Sequence, residues 1–235
     1  MLNIQNYTKR FGDKIAVDDL SLHIAAGEIC AFIGHNGAGK TTTIKACCGI
    51  LQPDSGEIFI AGKSVANDPI ACKKIMAYIP DNPDLYEFLT GYEYLNFVAD
   101  MYGVSEADRK ARMEALAERL DIKNALPNLI SECSHGMKQK IAVIGALIHE
   151  PKLILMDEPF VGLDPIAAHE LKEIMAEHCR NGGAIFFSTH VLEVAEKLCD
   201  KVAIIKGGRL IRSGTMEEVK GDDSLEEVFL ELEAE

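Results

Sequence analysis

The sequence predicts an α/β domain: a mainly parallel sheet wrapped by helices, with a helical lobe set into it. Three observations carry this. Short apolar runs recur along the 235 residues, separated by stretches of helical pattern. One run, Glu28 to Ile33, ends at a glycine-rich turn that leads into a helix-forming stretch. The middle of the chain shows helical periodicity and no strand pattern.

Taken in order, Glu28 to Ile33 suits a buried strand. Pro53-Asp54-Ser55-Gly56 reads as a turn, followed by a strand from Glu57 to Ile60. Thr90-x-x-Glu93 is a capping box, with Leu95, Val98, Ala99 and Tyr102 at helical spacing behind it. Ser105-x-x-Asp108 opens a second helix with Met113, Leu116, Ala117 and Leu120 on one face. Residues 82–150 therefore read as a helical subdomain. Leu153 to Met156 and Ala184 to Phe187 are two further buried strands, and Val202 to Ile211 reads as a hairpin around Gly207-Gly208. Ser224-x-x-Glu227 caps a last helix over about 224–235, where Leu225, Val228, Phe229 and Leu232 form one apolar stripe. The length suits a single domain over 1–235.

Composition narrows the function. Hydrophobic residues make up 48% and charged residues 26%, which is globular and neither disordered nor fibrous. With 24 basic and 37 acidic residues the net charge is −13, which argues against nucleic acid or anionic lipid held by bulk charge. Residues 217–235 hold nine of the acids and one base, so most of the excess lies in this last stretch. The longest apolar run, Ile141 to Ile148, is too short to span a membrane, and Met1 to Ile4 has no signal-peptide pattern. The seven cysteines form no C-x-x-C pair and read as small buried hydrophobes in a reducing compartment.

The glycine-rich turn carries the chemistry. Gly34-His35-Asn36-Gly37-Ala38-Gly39-Lys40-Thr41 fits G-x-x-x-x-G-K-[ST], the phosphate loop, and Thr42 continues it into a helix. Glycines let successive backbone N–H groups turn toward one anion, and the helix N-terminus adds unpaired N–H groups and a dipole. Lys40 is placed to reach the β- and γ-phosphates of a nucleotide, and Thr41 to offer a hydroxyl to Mg²⁺.

A second group follows the strand Leu153 to Met156, which ends in Asp157-Glu158. Neighbouring strand residues point to opposite sides, so the two acids take different tasks. Asp157 can hold a hydrated Mg²⁺ and Glu158 can polarise a water for attack on the γ-phosphate. Alone, such a pair would read as solvated acids, and the phosphate loop upstream reverses that preference. His190 follows the strand in Phe186-Phe187-Ser188-Thr189, on the sheet edge where ligands bind, and could orient the same water.

Cys133-Ser134-His135-Gly136-Met137-Lys138-Gln139-Lys140 resembles the signature motif of ABC-type ATPases. Glu158-Pro159, Gly162-Leu163-Asp164-Pro165 and His190 match that family's Walker B glutamate, D-loop and H-loop in order. The resemblance covers essentially the whole chain. It implies a RecA-like P-loop NTPase core with an antiparallel β subdomain and the inserted helical subdomain. It also implies a head-to-tail pair with a second copy or a similar ATPase subunit. Each ATP then lies between the phosphate loop of one subunit and Ser134, His135, Gly136 and Met137 of the other, with Asp164 nearby. Phe11 matches the aromatic that stacks on adenine, although an ordinary edge-strand phenylalanine would look the same.

Two departures stand out. Cys133 and His135 replace the usual leucine and first glycine of the signature. Asp81, in Ile79-Pro80-Asp81-Asn82-Pro83, stands where the family has the Q-loop glutamine. A carboxylate there can still approach Mg²⁺ but repels the γ-phosphate. The stretches Tyr78 to Tyr86, Leu89-Thr90, Tyr102-Gly103 and Ser224 to Leu232 resemble ABC-2 type exporter ATPases, and within these the Ecs-type subunits. That implies an ATPase on the inner, cytoplasmic face of the cell membrane, driving export through a separate integral membrane permease. The alternative is a soluble ABC-type ATPase regulating a non-transport partner.

Overall fold

The computed structural model describes residues 1–234; Glu235, the last residue of the expected terminal helix, lies outside them. The chain opens with β1 (Leu2–Phe11), β2 (Lys14–Ile24) and β3 (Ile29–Ile33), then α1 (Lys40–Cys47). Next come β4 (Ser55–Ile60), β5 (Lys63–Ser64), α2 (Pro69–Lys73) and β6 (Met76–Ile79). Helices α3 (Gly91–Met101), α4 (Glu106–Arg119) and α5 (His135–Leu147) fill the middle. The last part runs β7 (Leu153–Asp157), α6 (Pro165–Arg180), β8 (Ala184–Thr189), α7 (Leu192–Leu198), β9 (Lys201–Lys206), β10 (Arg209–Thr215), α8 (Met216–Lys220) and α9 (Leu225–Ala234).

Two sheets form. One is antiparallel, in the order β2-β1-β4-β5. The other runs β10-β9-β3-β8-β7-β6, parallel from β9 to β6 with β10 antiparallel at its edge. Strands β3, β7 and β8 are buried on both faces, which explains their unbroken apolar sequence. Alternate residues feed two cores. Ala31 and Ile33 meet the α5 and α6 side, while Cys30 and Phe32 face the antiparallel sheet, with Phe32 5.2 Å from Phe186.

This strand order positions the site. β3, β8 and β7 are neighbours and run the same way, so their C-terminal ends sit side by side. The loops leaving them carry the phosphate loop, His190 and the acidic pair. Residues far apart in sequence thereby converge on one sheet edge.

Local signals fix the helices. The capping box at Thr90 and Glu93 forms at the start of α3, and Ser105 caps α4 by accepting from the Asp108 N–H at 3.2 Å. Helix α9 docks through Leu225, Val228 and Phe229, which are buried. It is pinned by a bond from the Leu225 N–H to Glu196 on α7 (3.2 Å) and by Lys206, which donates to the Leu232 carbonyl (3.1 Å). All seven cysteines are free and buried.

Candidate active site

The phosphate loop spans the turn between β3 and α1. Two of its glycines are sterically required: a Cβ at Gly34 would lie 2.4 Å from the Ile205 carbonyl oxygen, and one at Gly39 2.6 Å from that of Ala16. Gly39 also has φ +112° and caps α1 with no side-chain hydrogen bond, so no side chain competes for the helix's first N–H groups. Lys40 is buried. Its Nζ donates to the carbonyls of Gly34 (2.5 Å) and His35 (3.2 Å). Burial lowers its pKa, and the carboxylates of Glu158 and Asp157 oppose that shift.

Asp157 ends β7 and is 1% exposed. Ser188 on β8 donates to its Oδ1, and Oδ2 is buried with no partner among the described residues. The strand stops there. Glu158 takes a left-handed backbone, φ +47°, and its N–H is held by Ser188 through the side-chain hydroxyl (3.0 Å) and the carbonyl (3.2 Å). The two acids are thus separated by a turn rather than by the strand alternation expected from the sequence. Glu158 Oε2 lies 3.0 Å from His190 Nδ1.

A cleft of about 320 Å³ joins these groups. It is lined by Phe11, by His35, Asn36, Gly37, Gly39, Lys40, Thr41 and Thr42 of the phosphate loop, and by Asp81, Asp157 and Glu158. Gly34, Ala38 and His190 are not among the lining residues, and His190 meets the cleft wall only through its contact with Glu158. Phe11 is 50% exposed at the tight β1–β2 turn, so it is no core residue. The cleft also includes Lys14 and Ala16, which the sequence analysis missed. The one available signal was the short Gly12-Asp13 turn, which pairs Lys14 with Phe11.

The signature residues lie elsewhere. Ser134 caps α5 by accepting from the Met137 N–H (3.3 Å), and neither it, His135, Gly136 nor Met137 lines the cleft. A Cβ at Gly136 would be 2.6 Å from the Gly162 carbonyl oxygen, so the start of α5 packs directly on the Gly162–Asp164 turn. Asp164 caps α6 through the Ala167 N–H (2.9 Å) and pairs with Lys140 (2.9 Å). These two contacts, the backbone bond foremost, hold its carboxyl below the usual range. Cys133 is buried, filling the apolar place that leucine takes in the family pattern.

The residues present fit a divalent ion. Asp157 offers one buried oxygen without a partner among the described residues, and both it and Thr41 line the cleft. No group of three His, Cys, Asp or Glu among the described residues forms a cage. That suits Mg²⁺, which takes one or two carboxylates and completes its shell with phosphate and water.

A phosphate loop, a cleft and paired acids on one edge of a parallel sheet define a nucleotide hydrolase of the phosphate-loop class. Known proteins place the chain within it. The ABC transporter family matches residues 17–161. The ABC-type transporter ATP-binding protein EcsA of Bacillus subtilis is 35% identical over 240 residues, spanning 100% of this chain and 97% of its own length. A solved ATP-binding subunit of an ABC transporter superimposes with a TM-score of 0.95 at 37% identity, over 99% of each chain. CbiO1 of Clostridium perfringens, part of the ABC transporter complex cbiONQ, gives 0.80 at 27% identity over 99% of this chain and 94% of that one. This chain belongs to the ABC transporter family: it is an ATP-binding subunit with ATPase activity, similar to the Ecs-type subunits.

Proposed function

We propose that the protein hydrolyses ATP in a head-to-tail pair and uses the cycle to drive export through a separate membrane permease. The observation that carries this is that the site is half of one. Lys40, Thr41, Asp157 and Glu158 converge on one cleft, while neither the Ser134-capped start of α5 nor Asp164 lines it. Ser134 is exposed, with a helix N-terminus behind it. Such an anion site serves a phosphate only when brought by another subunit.

In this reading the phosphate loop N–H groups and Lys40 bind the β- and γ-phosphates, and Lys40 leaves the Gly34 and His35 carbonyls to do so. Phe11 stacks on adenine. Thr41, Asp157 and Asp81 would hold Mg²⁺, which would neutralise charge on the phosphate oxygens. Glu158 takes a proton from the attacking water, whose oxygen bonds to the γ-phosphorus. The bond to the β–γ bridging oxygen breaks, and its electrons leave with ADP. His190, bonded to Glu158, orients that base.

The partner's place is suggested by the helical subdomain, residues 82–150. Tyr86, Phe88, Phe97 and Met101 are exposed there, and Tyr86 stacks with Phe88 at 5.8 Å. Beside them an open groove is lined by Pro83, Leu85, Val98, Tyr102 and His149. Exposed apolar surface of this kind marks a protein interface. It begins a few residues from Asp81, so a partner bound there would sense the nucleotide cleft. No helix of the described residues is long and apolar enough to cross a membrane, so the transmembrane path is assigned to that partner, with this subunit on the cytoplasmic face.

Glu158→Gln keeps the fold and removes the base. With ATP and Mg²⁺ at high protein concentration, gel filtration should show a dimer that the unmutated protein forms only transiently. A variant that remains monomeric sinks the paired-site reading. Recovery of an integral membrane protein from detergent extracts tests the transport half, and a soluble partner instead would favour a regulatory ATPase.

A further inference from the structure

Asp157 has a neighbour on each flank. Register sets it against Ser188 on β8, and sets Leu155, two residues earlier on its strand, against Tyr78 on β6. Residues two apart on a strand share a face, so Tyr78, Leu155, Asp157 and Ser188 project to the same side. Leu155 and Tyr78 pack into one core on that side. Tyr78 is therefore the diagonal neighbour of Asp157, a spacing that a long aromatic side chain bridges.

The two flanks differ. On the Ser188 side the hydroxyl holds Oδ1. Two polar atoms of these neighbours remain, Asp157 Oδ2 and the Tyr78 hydroxyl, each buried and without a hydrogen-bond partner among the described residues. Native proteins rarely leave a buried acceptor or a buried donor without a partner. The phenol's pKa is pushed well above its ordinary value, by burial first and by the charge of Asp157 next, so it stays a donor.

We propose that Tyr78 is a positioning residue for Asp157: its hydroxyl donates to Oδ2, directly or across one water, and with Ser188 aims the carboxylate into the cleft. A carboxylate has lone pairs enough to accept this bond and still face a cation. The proposal rests on the reading of Asp157 as the metal-side carboxylate. Outer partners of this kind typically change metal affinity about 10–100-fold when removed.

The test uses the full chain, a fluorescent ADP analogue, and Mn²⁺ as a spectroscopic substitute for Mg²⁺. Analogue affinity is measured with Mn²⁺ and with EDTA, and the ratio reports the metal's contribution. Bound Mn²⁺ is followed in parallel by electron paramagnetic resonance. Tyr78→Phe keeps the ring and its packing. It should lower the ratio about tenfold, with the EDTA affinity unchanged. Tyr7→Phe is the control, because it deletes an equally buried, unpartnered hydroxyl on β1; its ratio should match the unmutated protein. Asp157→Asn should abolish the metal's contribution. If Asp157→Asn does so while Tyr78→Phe leaves the ratio intact, Tyr78 has no positioning role and the metal reading stands. Equal losses in Tyr78→Phe and Tyr7→Phe also overturn the proposal, since packing then explains both. An unchanged ratio in Asp157→Asn removes the metal reading and this proposal together.

Discussion

At the scale of single residues, the phosphate loop was fully legible because its chemistry is contiguous. Glycines, lysine and threonine must follow one another to cup one anion, so the sequence alone locates them. The structure adds the state of Lys40, buried and bonded to its own loop. A neutral replacement deletes the cation that two carboxylates face. Lys40→Ala should therefore reduce phosphate release at least about 100-fold and weaken ATP binding, measured with a fluorescent analogue. Wild-type turnover would refute the role given to this lysine. Lys14 was not legible, because it reaches the site through strand register, which no local motif encodes. The left-handed turn at Glu158 was equally hidden, since nothing in an apolar run followed by two acids marks where the strand stops.

At the scale of elements, strands buried on both faces announced themselves as apolar runs, and β3, β7, β8 and β9 were readable for that reason. β1 and β2 were not. Their alternation is broken by irregular register and by Asn6 and Asp19 at positive φ, so the antiparallel sheet entered only through family resemblance. β6 is four residues long, too short to show a period. Helix packing also sets a pH response. His149 stacks on Tyr102 with ring centroids 3.6 Å apart, and its Nε2 meets the Met76 carbonyl at 3.2 Å. Burial foremost, helped by the nearby Arg112 charge and opposed by the carbonyl, lowers its pKa; His178 on α6 is lowered by burial too. The unfolded chain then binds these protons more readily than the native one. Stability is complete above the unfolded histidine pKa of about 6.5 and falls as pH drops below it. The Tm at pH 5.5 should lie about 2–4 °C below that at pH 7.5 for each kcal/mol lost. His149→Phe, which keeps the stack on Tyr102, should shrink the gap. An unchanged gap in His149→Phe would assign the loss to other groups.

At the scale of the whole molecule, the acidic balance no longer conflicts with an anionic ligand. Much of it resides beyond residue 216, on α8, α9 and the turn between them. In the proposed reading the nucleotide cleft works through local N–H groups and Lys40. Yet α9 is no remote appendage. Phe229 lies edge-on to His35 of the phosphate loop at 5.3 Å, and Leu225 is bonded to α7, the helix that follows His190. The terminal helix thus touches the phosphate loop and is anchored on α7, a placement that its capping and apolar stripe could not reveal.

The buried cysteines give the protein a practical property as well. Each thiol has its pKa raised, Cys47 and Cys179 to about 12, with burial the main cause at all seven positions. Thiolate is the reactive form, so the native surface is almost silent toward thiol reagents. Ellman's reagent should consume less than about one equivalent quickly in the folded protein, and seven once guanidinium unfolds it. Rapid reaction of several thiols in the native state would contradict this. The natural sequence is thereby a ready background for spin or fluorophore labels. A single cysteine placed on the exposed start of α5 would report directly on whether two subunits approach there, as proposed.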